Sequence, residues 1–291
     1  MPRTPKSAHD QGILKQFLGD VLRDRLASAR RKKRLRKIDA MPDERQAAAL
    51  IFGAGAMPGI GAAVAQRAAQ GGYKVYLSGR NAEKLEATAS SIRAAGGLAA
   101  ALTVDVADPE QISAAFARVK ADDCRLQLVV DNVGTNRPKP FLEITPELLE
   151  KCWVNDCRSG FLIGQHCVEF MLEQADNGNG RGTVLFTGAS ASLRGKAQFA
   201  AFAQAKAGLR MLAQAMAREY GPQGLHVAHI IIDGMVDGDR LRTIAPQYIQ
   251  AQGEGGTLHP EAIAQAYWDI HQQHRSAWTH EVDLRPFKEN W

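Results

Sequence analysis

A glycine-rich turn between a short apolar run and an alanine-rich segment constrains this chain more than any other stretch. The turn lies within Ala49–Gly61, which reads A-L-I-F-G-A-G-A-M-P-G-I-G. An apolar run that ends in glycines and is followed by helical spacing predicts a strand, a tight turn and a helix N-terminus. Gly55, Gly59 and Gly61 have the spacing G-x-x-x-G-x-G, which is typical of turns that hold a nucleotide.

Each of these glycines has a physical role in such a turn. Gly55 allows a bend where a Cβ would clash, Gly59 allows the backbone to approach a phosphate, and Gly61 allows the helix to pack against the strand. The helix N-terminus adds free N–H groups and a positive dipole end, which favour a pyrophosphate. A glycine-rich turn without a ligand is the alternative. We expect a nucleotide site here, to which Met57 and Ile60 also contribute.

The rest of the chain alternates predicted strands with predicted helices. Such alternation implies parallel pairing with right-handed crossovers, and hence an α/β fold with a doubly wound parallel sheet. The segment 237–258 is predicted to be a loop that covers the site. The predicted strands are 49–52, 73–78, 98–104, 126–130, 183–187, 225–232 and an edge strand within 277–284; the predicted helices are 62–70, 82–95, one that opens at 108–109, 146–174, 197–220 and 260–271.

Composition places the chain among ordinary globular proteins. The 291 residues are 45% hydrophobic, which is enough for a sizeable core. No apolar run approaches the roughly 20 residues that cross a bilayer, and the N-terminus lacks the apolar segment of a secretory signal. The four cysteines match no zinc pattern, so we expect reduced thiols, no metal site and a cytoplasmic location.

The positive charge of the chain is concentrated in residues 1–48. The formal net charge of +5 divides into +7 for residues 1–48 and −2 for the remainder, so nothing in the main domain argues for nucleic acid. We therefore predict a basic amphipathic N-terminal helical extension, 1–48, and a main domain, 49–291. Either the helix with the apolar stripe 13–26 packs on its own domain or a twin subunit and the basic run 30–37 is solvated, or residues 13–37 dock on a membrane surface or an acidic partner.

Further motifs follow the glycine turn in a recognisable order. They are Asp105-Val106, the run Asp131-Asn132-Val133-Gly134 after a predicted strand, Asn155 in a predicted helix, and Lys206. In this order the chain resembles the short-chain dehydrogenases/reductases, from Ala49 to Pro286.

The resemblance implies a Rossmann-type fold, a nicotinamide cofactor, a small-molecule substrate and a homodimer or homotetramer. It also implies roles for single residues. Lys206 would bind the nicotinamide ribose, and Asn155 would hold a water in the proton path. The other implied cofactor contacts are Asp105, Val106, Asn132, Val133, Gly134, Asp233, Gly234 and Val236.

Two positions depart from the family's pattern. The family has a tyrosine four residues before the lysine and a serine thirteen residues before that tyrosine, and these positions are Phe202 and Ala189. The tyrosine is the family's general acid, and a phenyl ring donates no proton. Ser190 after a one-residue shift, Thr187, a water or the substrate are the remaining proton sources. Phe202 and Ala189 can also be core residues of a site no longer in use.

Cofactor choice depends on the end of the second predicted strand. An acid there would select NAD through the ribose 2′-hydroxyl, but the sequence has Ser78-Gly79-Arg80 and no acid. A guanidinium matches a phosphate, so Arg80 predicts a preference for NADP(H) over NAD(H). An exposed arginine at a helix start is the alternative.

Two functions remain compatible with the sequence. One is an NADP(H)-dependent reductase with a non-standard proton donor, suited to C=C or C=N reduction. The other is a catalytically degenerate relative that binds NADP(H) or a partner protein. Consumption of NADPH with carbonyl, enoyl and imine compounds discriminates between them.

Overall fold

The computed structural model describes residues 43–289, and the predictions made for residues 1–42 lie outside the described residues. The described chain contains one seven-stranded sheet in the order β3-β2-β1-β4-β5-β6-β7, and every neighbouring pair is parallel. The predicted doubly wound fold is therefore confirmed. The strands are β1 Ala47–Phe52, β2 Lys74–Gly79, β3 Leu98–Thr103, β4 Arg125–Asp131, β5 Gly182–Ala189, β6 Leu225–Ile232 and β7 Glu281–Leu284.

Helices connect the strands, and several of them start where the sequence offers a cap. Asn81 accepts a hydrogen bond from the Lys84 N–H, and Asp108 accepts one from the Glu110 N–H, each satisfying a free donor of a first turn. The helices of the described residues are α1 Ile60–Gln70, α2 Ala82–Ala94, α3 Pro109–Ala121, α4 Pro146–Trp153, α5 Ser159–Leu172, α6 Ala200–Tyr220, α7 Asp239–Ile244, α8 Pro246–Gln252 and α9 Pro260–His271.

The core lies on both faces of the sheet. Helices α1, α2 and α9 cover one face, with Ala63, Leu85 and Tyr267 in the buried cluster. Helices α3, α5 and α6 bury side chains on the other face, among them Phe116 and Leu209. Because helices cover both faces, the central strand β1 is apolar along its whole length rather than alternating.

Three of the predicted elements were wrong in detail. The stretch 146–174 is not one α-helix, because a π-helical turn, Val154–Arg158, separates α4 from α5. The side chain of Asn155 donates to the Lys151 carbonyl at 2.7 Å, and Ser159 Oγ donates to the Asn155 carbonyl at 2.6 Å. These side chains compete for carbonyls of the helix ladder, which accounts for the altered turn.

The other two differences lie in the second half of the chain. Helix α6 begins at Ala200 rather than near 197, because Gln198 has a φ of +70°, which a right-handed helix cannot include. The segment predicted as a loop, 237–258, contains the short helices α7 and α8, the second of which starts at Pro246.

All four cysteines lie within the described residues. Cys124, Cys152, Cys157 and Cys167 are buried and unpaired, as expected for reduced thiols. Within residues 43–289, no helix has both the length and the apolar character that crossing a bilayer requires.

Candidate functional site

A cleft opens at the carboxyl ends of the strands, where the strand order reverses between β1 and β4. Open α/β sheets bind ligands at this switch point because the loops from neighbouring strands diverge there. The cleft has a volume of about 500 Å³. Its lining comes from the loops after β1, β2, β3 and β4, from α4 and from the start of α7: Gly53, Gly55, Gly79, Arg80, Asn81, Lys84, Leu85, Val104, Val106, Asn132, Val133, Gly134, Thr135, Arg137, Leu148, Lys151, Cys152, Asn155 and Arg240.

The glycine turn forms one wall of this cleft. Gly53 has a φ of +75°, and a Cβ there would lie 2.8 Å from the Asn132 carbonyl group, so only glycine fits between β1 and β4. A Cβ at Gly61 would lie 2.5 Å from the Gly53 oxygen, which agrees with the predicted close packing of helix on strand. Gly55 has a φ of +64° with nothing within 4 Å of its Cβ position, so it leaves open space in the cleft. The sequence reasoning missed Gly53, which precedes the recognised spacing.

The cleft is strongly cationic. Its lining holds five cationic side chains, and among the described residues no carboxylate lines it. Lys84 pairs with Asp239 at 2.7 Å, and Arg240 donates to backbone carbonyls of the β4 loop. The other three cations, Arg80, Arg137 and Lys151, have no ion-pair or side-chain hydrogen-bond partner within residues 43–289.

These features fit a dinucleotide. Gly55 lies in the loop that leads from β1 to the N-terminus of α1, whose first N–H groups have no acceptor within the helix. Arg80 follows β2 immediately, and no acid stands at that strand end. A ligand with several phosphates would offset the excess positive charge of the cleft.

Lys206 lies beneath the loop after β4 and does not line the cleft itself. Its side chain is only 2% exposed, and Nζ donates to the carbonyl oxygens of Val133 at 2.8 Å and Thr187 at 2.9 Å. An ammonium has three donors, so one N–H remains beyond these two bonds. Nζ also lies 6.0 Å from the centroid of the Phe202 ring, which is buried one helical turn earlier.

The π-helical turn brings Asn155 and Asp156 to the same region. Asn155 lines the cleft, and Asp156 is 1% exposed with one carboxylate oxygen 4.0 Å from Lys206 Nζ. Asp156 also contacts Thr135, whose N–H donates to Oδ1 at 2.9 Å and whose hydroxyl is hydrogen bonded to Oδ2. The sequence reasoning missed Asp156 and Thr135. No spacing rule relates two positions that meet only through a π-turn and a strand-end loop.

Asp131, at the end of β4, adds a second buried acid to this cluster. Burial raises its pKa to about 6, while Lys206 and the Val133 N–H oppose the rise. Burial also raises the pKa of Asp156, against the lowering effects of Lys206 and Thr135. Two carboxyls therefore face one ammonium in a site from which water is excluded.

The hydroxyls of Thr187 and Ser190, the alternative proton donors of the sequence analysis, lie in different parts of the structure. Thr187 Oγ1 lies 2.9 Å from the Tyr267 hydroxyl in the core beside α9. Ala189 ends β5, and its N–H donates to Ser192 Oγ at 3.2 Å. Ser190 starts a short 3₁₀ turn, Ser190–Ser192, and is half-buried.

The structure brings part of the predicted cofactor set onto the cleft. Gly55, Arg80, Val106, Asn132, Val133, Gly134 and Asn155 line it. Asp105 instead accepts a bond from the Ala107 N–H in its own loop. Asp233, which is 2% exposed, accepts from Arg194 at 3.1 Å. The remaining predicted residues are not among those that line the cleft: Met57, Gly59, Ile60, Gly61, Ser190, Phe202, Lys206, Gly234 and Val236.

Comparison with known proteins gives a consistent result. The profile of the family described as short chain dehydrogenase matches residues 48–248. The Short-chain reductase protein NovJ of Streptomyces niveus is 30% identical over 234 residues, which are 75% of this chain and 84% of NovJ. A crystal structure of a short-chain dehydrogenase from Rhodopseudomonas palustris is 38% identical, with a TM-score of 0.70, and the match covers 84% of this chain and all of that one.

A third comparison supports the fold alone. A short chain dehydrogenase from Burkholderia cenocepacia J2315, solved in complex with NADP, has a TM-score of 0.71 and 23% identity. The match covers 84% of this chain and 98% of that chain.

Proposed function

Since this chain belongs to the short chain dehydrogenase family and is an NAD(P)-dependent oxidoreductase, we propose that it is a reductase that uses NADP(H) and a non-standard proton donor. Two features observed together carry the proposal. The cleft has a cationic lining that suits a phosphorylated cofactor, and the phenyl ring of Phe202, which cannot donate a proton, lies near Lys206.

The charges of the cleft support the choice of NADP(H). Arg80 follows β2, where the ribose of a bound dinucleotide lies in folds of this type, and it has no partner among the described residues. A 2′-phosphate would supply two oxygens for the guanidinium fork. A solved structure with the same fold was obtained with NADP, although that protein is only 23% identical.

The residues of the chain would hold the cofactor in three places. The N-terminus of α1 and Gly55 would receive the pyrophosphate, and Arg80 the 2′-phosphate. Lys206 would bind the nicotinamide ribose with its remaining N–H, because two others are already held by Val133 and Thr187. The bound nicotinamide supplies the hydride. Asn155, whose amide nitrogen is committed to the Lys151 carbonyl, keeps its side-chain oxygen to accept a bond from a water or ligand.

The proton donor is where this site departs from its family. Phe202 stands where the family has its acidic tyrosine, and Ala189 stands where it has a polarising serine. Loss of a positioned general acid costs about 10²–10⁴ in rate. Loss of a polarising donor costs about a further 10²–10³. We therefore propose a C=C or C=N substrate, which depends less than a ketone on stabilisation of an oxygen.

Oxidation of NADPH tests this proposal directly. The full chain is mixed with NADPH and, in separate reactions, a ketone, an α,β-unsaturated carbonyl compound and a cyclic imine. We expect turnover of the second or third compound and little of the ketone, and loss of that turnover in Lys206→Ala. NADPH that stays unoxidised with all three, at saturating cofactor, would contradict the reductase function and favour a protein that only binds the cofactor.

We also propose a homodimer or homotetramer built on α4, α5 and α6. Trp153, Phe161 and Met211 are 45%, 47% and 51% exposed, which leaves large apolar side chains on these helices in contact with water. A second copy of the chain would cover them. Sedimentation of wild type and Met211→Glu tests the interface, since a buried glutamate would shift the protein toward monomer.

A further inference from the structure

The cluster beneath the cleft contains more acid than base. Asp131 from β4, Asp156 from the π-helical turn and Lys206 from α6 are each no more than 2% exposed. If both carboxyls were ionised, the cluster would carry a net negative charge away from water, which is costly. One shared proton makes the cluster neutral, and such a proton belongs to the pair rather than to one residue.

Thr135 connects this cluster to the cleft. It lines the cleft, and it is hydrogen bonded to Asp156 through both its N–H and its hydroxyl. The N–H occupies Asp156 Oδ1, so a proton on the carboxyl would lie on Oδ2 and point at Thr135 Oγ1. The hydroxyl hydrogen of Thr135 can then be donated to a ligand in the cleft, or in its absence to Cys152 Sγ, which lies 3.5 Å from Oγ1. Arg240 fixes this loop by donating to the Thr135 and Asn136 carbonyls at 3.3 and 3.2 Å.

We propose that the Thr135 hydroxyl donates the proton to the substrate and that Asp156 restores it. This inference rests on the proposed reductase function. As the substrate receives the hydride at one end of its double bond, the O–H bond of Thr135 breaks and a bond to hydrogen forms at the other end. The O–H bond of Asp156 breaks in turn and remakes the Thr135 hydroxyl. Asp156 remains as a carboxylate beside the Lys206 ammonium until solvent returns a proton.

The surroundings of Asp156 suit this role. Charged groups face it from three elements, namely Lys206 of α6, Asp131 of β4 and Arg240 of α7, and the Cys157 thiol adjoins it. Burial raises the pKa of Asp156, whereas Lys206, Thr135 and Arg240 lower it. Burial acts in favour of the protonated form of Asp156, and the ammonium acts in favour of the carboxylate that proton transfer would leave. Thr135 would thus be the catalytic group, and Asp156 would act through it.

The first test detects the proton itself and needs neither cofactor nor turnover. Infrared spectra of the full chain with isotope-labelled aspartate are recorded across neutral pH. We expect a protonated-carboxyl band that disappears in Asp156→Asn and shifts in Thr135→Val, because the valine removes the bond to Oδ2. Asp269→Asn, which changes an exposed aspartate of α9, is the control and should keep the band. A band unaffected by both site variants, or no band in wild type, would overturn the proposal.

The second test measures the transfer on whichever panel compound the wild type reduces. Thr135→Val and Asp156→Asn should each lower kcat by about 10²–10⁴, as for loss of a positioned acid. Thr135→Ser should retain most of kcat. In Asp156→Asn, the pH profile of kcat should lose the fall that follows ionisation of the Asp156 carboxyl. NADPH affinity, followed by fluorescence, should not change in any of them.

The two proposals fail in different ways. Turnover by wild type that Thr135→Val leaves intact would overturn the relay while the reductase function stands. No turnover of any panel compound by wild type would overturn the reductase function, and the relay with it. A weakened NADPH affinity in Thr135→Val equal to the loss of kcat would also count against the relay, because it would assign Thr135 to cofactor binding.

Discussion

Lys206 Nζ lies 6.0 Å from the centre of the Phe202 ring, so an aromatic ring without a hydroxyl lies near the ammonium. Both side chains are buried on α6, one helical turn apart. A hydroxyl added to this ring would therefore lie on a side chain close to the Lys206 ammonium.

Restoring the hydroxyls should create ketone reduction. In Phe202→Tyr with Ala189→Ser, the Lys206 ammonium would lower the pKa of the new phenol by favouring its charged form. The serine would place a donor near a carbonyl oxygen. We expect kcat/KM for a ketone to rise by about 10² or more, as for a regained general acid. Phe202→Leu with Ala189→Ser is the matched control without a phenol. A ketone reductase activity of wild type that already equals that of the double variant would contradict our account.

Reversing the charge of Arg80 should weaken NADPH binding. The guanidinium has no partner within residues 43–289, so its substitution breaks no ion pair of the described fold. A hydrogen-bonded charge pair is worth about 1.5–3 kcal/mol, so Arg80→Glu should raise the calorimetric Kd for NADPH about tenfold to a hundredfold. The Kd for NADH should change far less. Arg218→Glu, on the exposed side of α6, provides the control. Tighter binding of NADH than of NADPH by wild type would contradict the predicted preference.

Removing the Asp131 carboxylate should flatten the pH dependence of stability. Burial raises the pKa of Asp131 to about 6 in the folded protein, so the folded state holds this proton more tightly than the unfolded chain. Its contribution is present at low pH and is lost as pH rises through about 6. In Asp131→Asn, the new amide oxygen could still accept the bond that the Val133 N–H now donates to Oδ1. Between about pH 4 and pH 7, the free energy of unfolding of wild type should fall by ~2 kcal/mol relative to that variant, measured by urea denaturation. Parallel pH profiles of the two proteins would show that Asp131 ionises normally.

Truncation tests the predicted boundary of the N-terminal extension. A chain that starts at Asp43 keeps the contacts of Asp43 with Arg45 at 2.7 Å and with Arg125 at 3.7 Å. We expect it to fold and to bind NADPH with the affinity of the full chain, because the cleft is built within residues 43–289. Gel filtration and fluorescence titration measure this. Aggregation of the truncated chain would instead indicate that the apolar stripe within residues 13–26 completes a core or an oligomer. Loss of membrane or acidic-partner binding alone would assign residues 13–37 to docking.

The fold was predictable because its signals are local. Buried strands read as apolar runs, and caps such as Asn81 and Asp108 mark helix starts within three residues. The errors occur where a local pattern is overridden. The side chain of Asn155 takes the Lys151 carbonyl as its hydrogen-bond acceptor, which alters the backbone hydrogen bonds of the helix. Gln198 adopts a left-handed backbone conformation, which its residue type does not predict.

The site was predictable only in part, and the reason is distance along the chain. Arg80 and Asn132 directly follow β2 and β4, and Gly55 lies in the turn after β1; all three line the cleft, because parallel strands bring their carboxyl ends together. Asp131, Asp156 and Lys206 come from three different elements. Asp156 reaches Lys206 from the π-helical turn Val154–Arg158, which the sequence pattern does not indicate. Asp156 carries no local sign that its carboxyl will be buried beside an ammonium.

The strand order β3-β2-β1-β4-β5-β6-β7 also sets a sequence of events for folding. Every strand after β1 pairs with a strand that was synthesised before it, so the sheet can grow by addition at its edges and no strand has to enter between two paired neighbours. The pairing of β1 with β4 joins Ala47 to Arg125, which is the longest loop that any of the strand pairs closes. Loop closure costs entropy that increases slowly with length, so this pairing would cost the most entropy if it formed before β2 and β3 had paired. Because the loops after β1 and β4 both line the cleft, the cleft is complete only once this long-range pairing has formed.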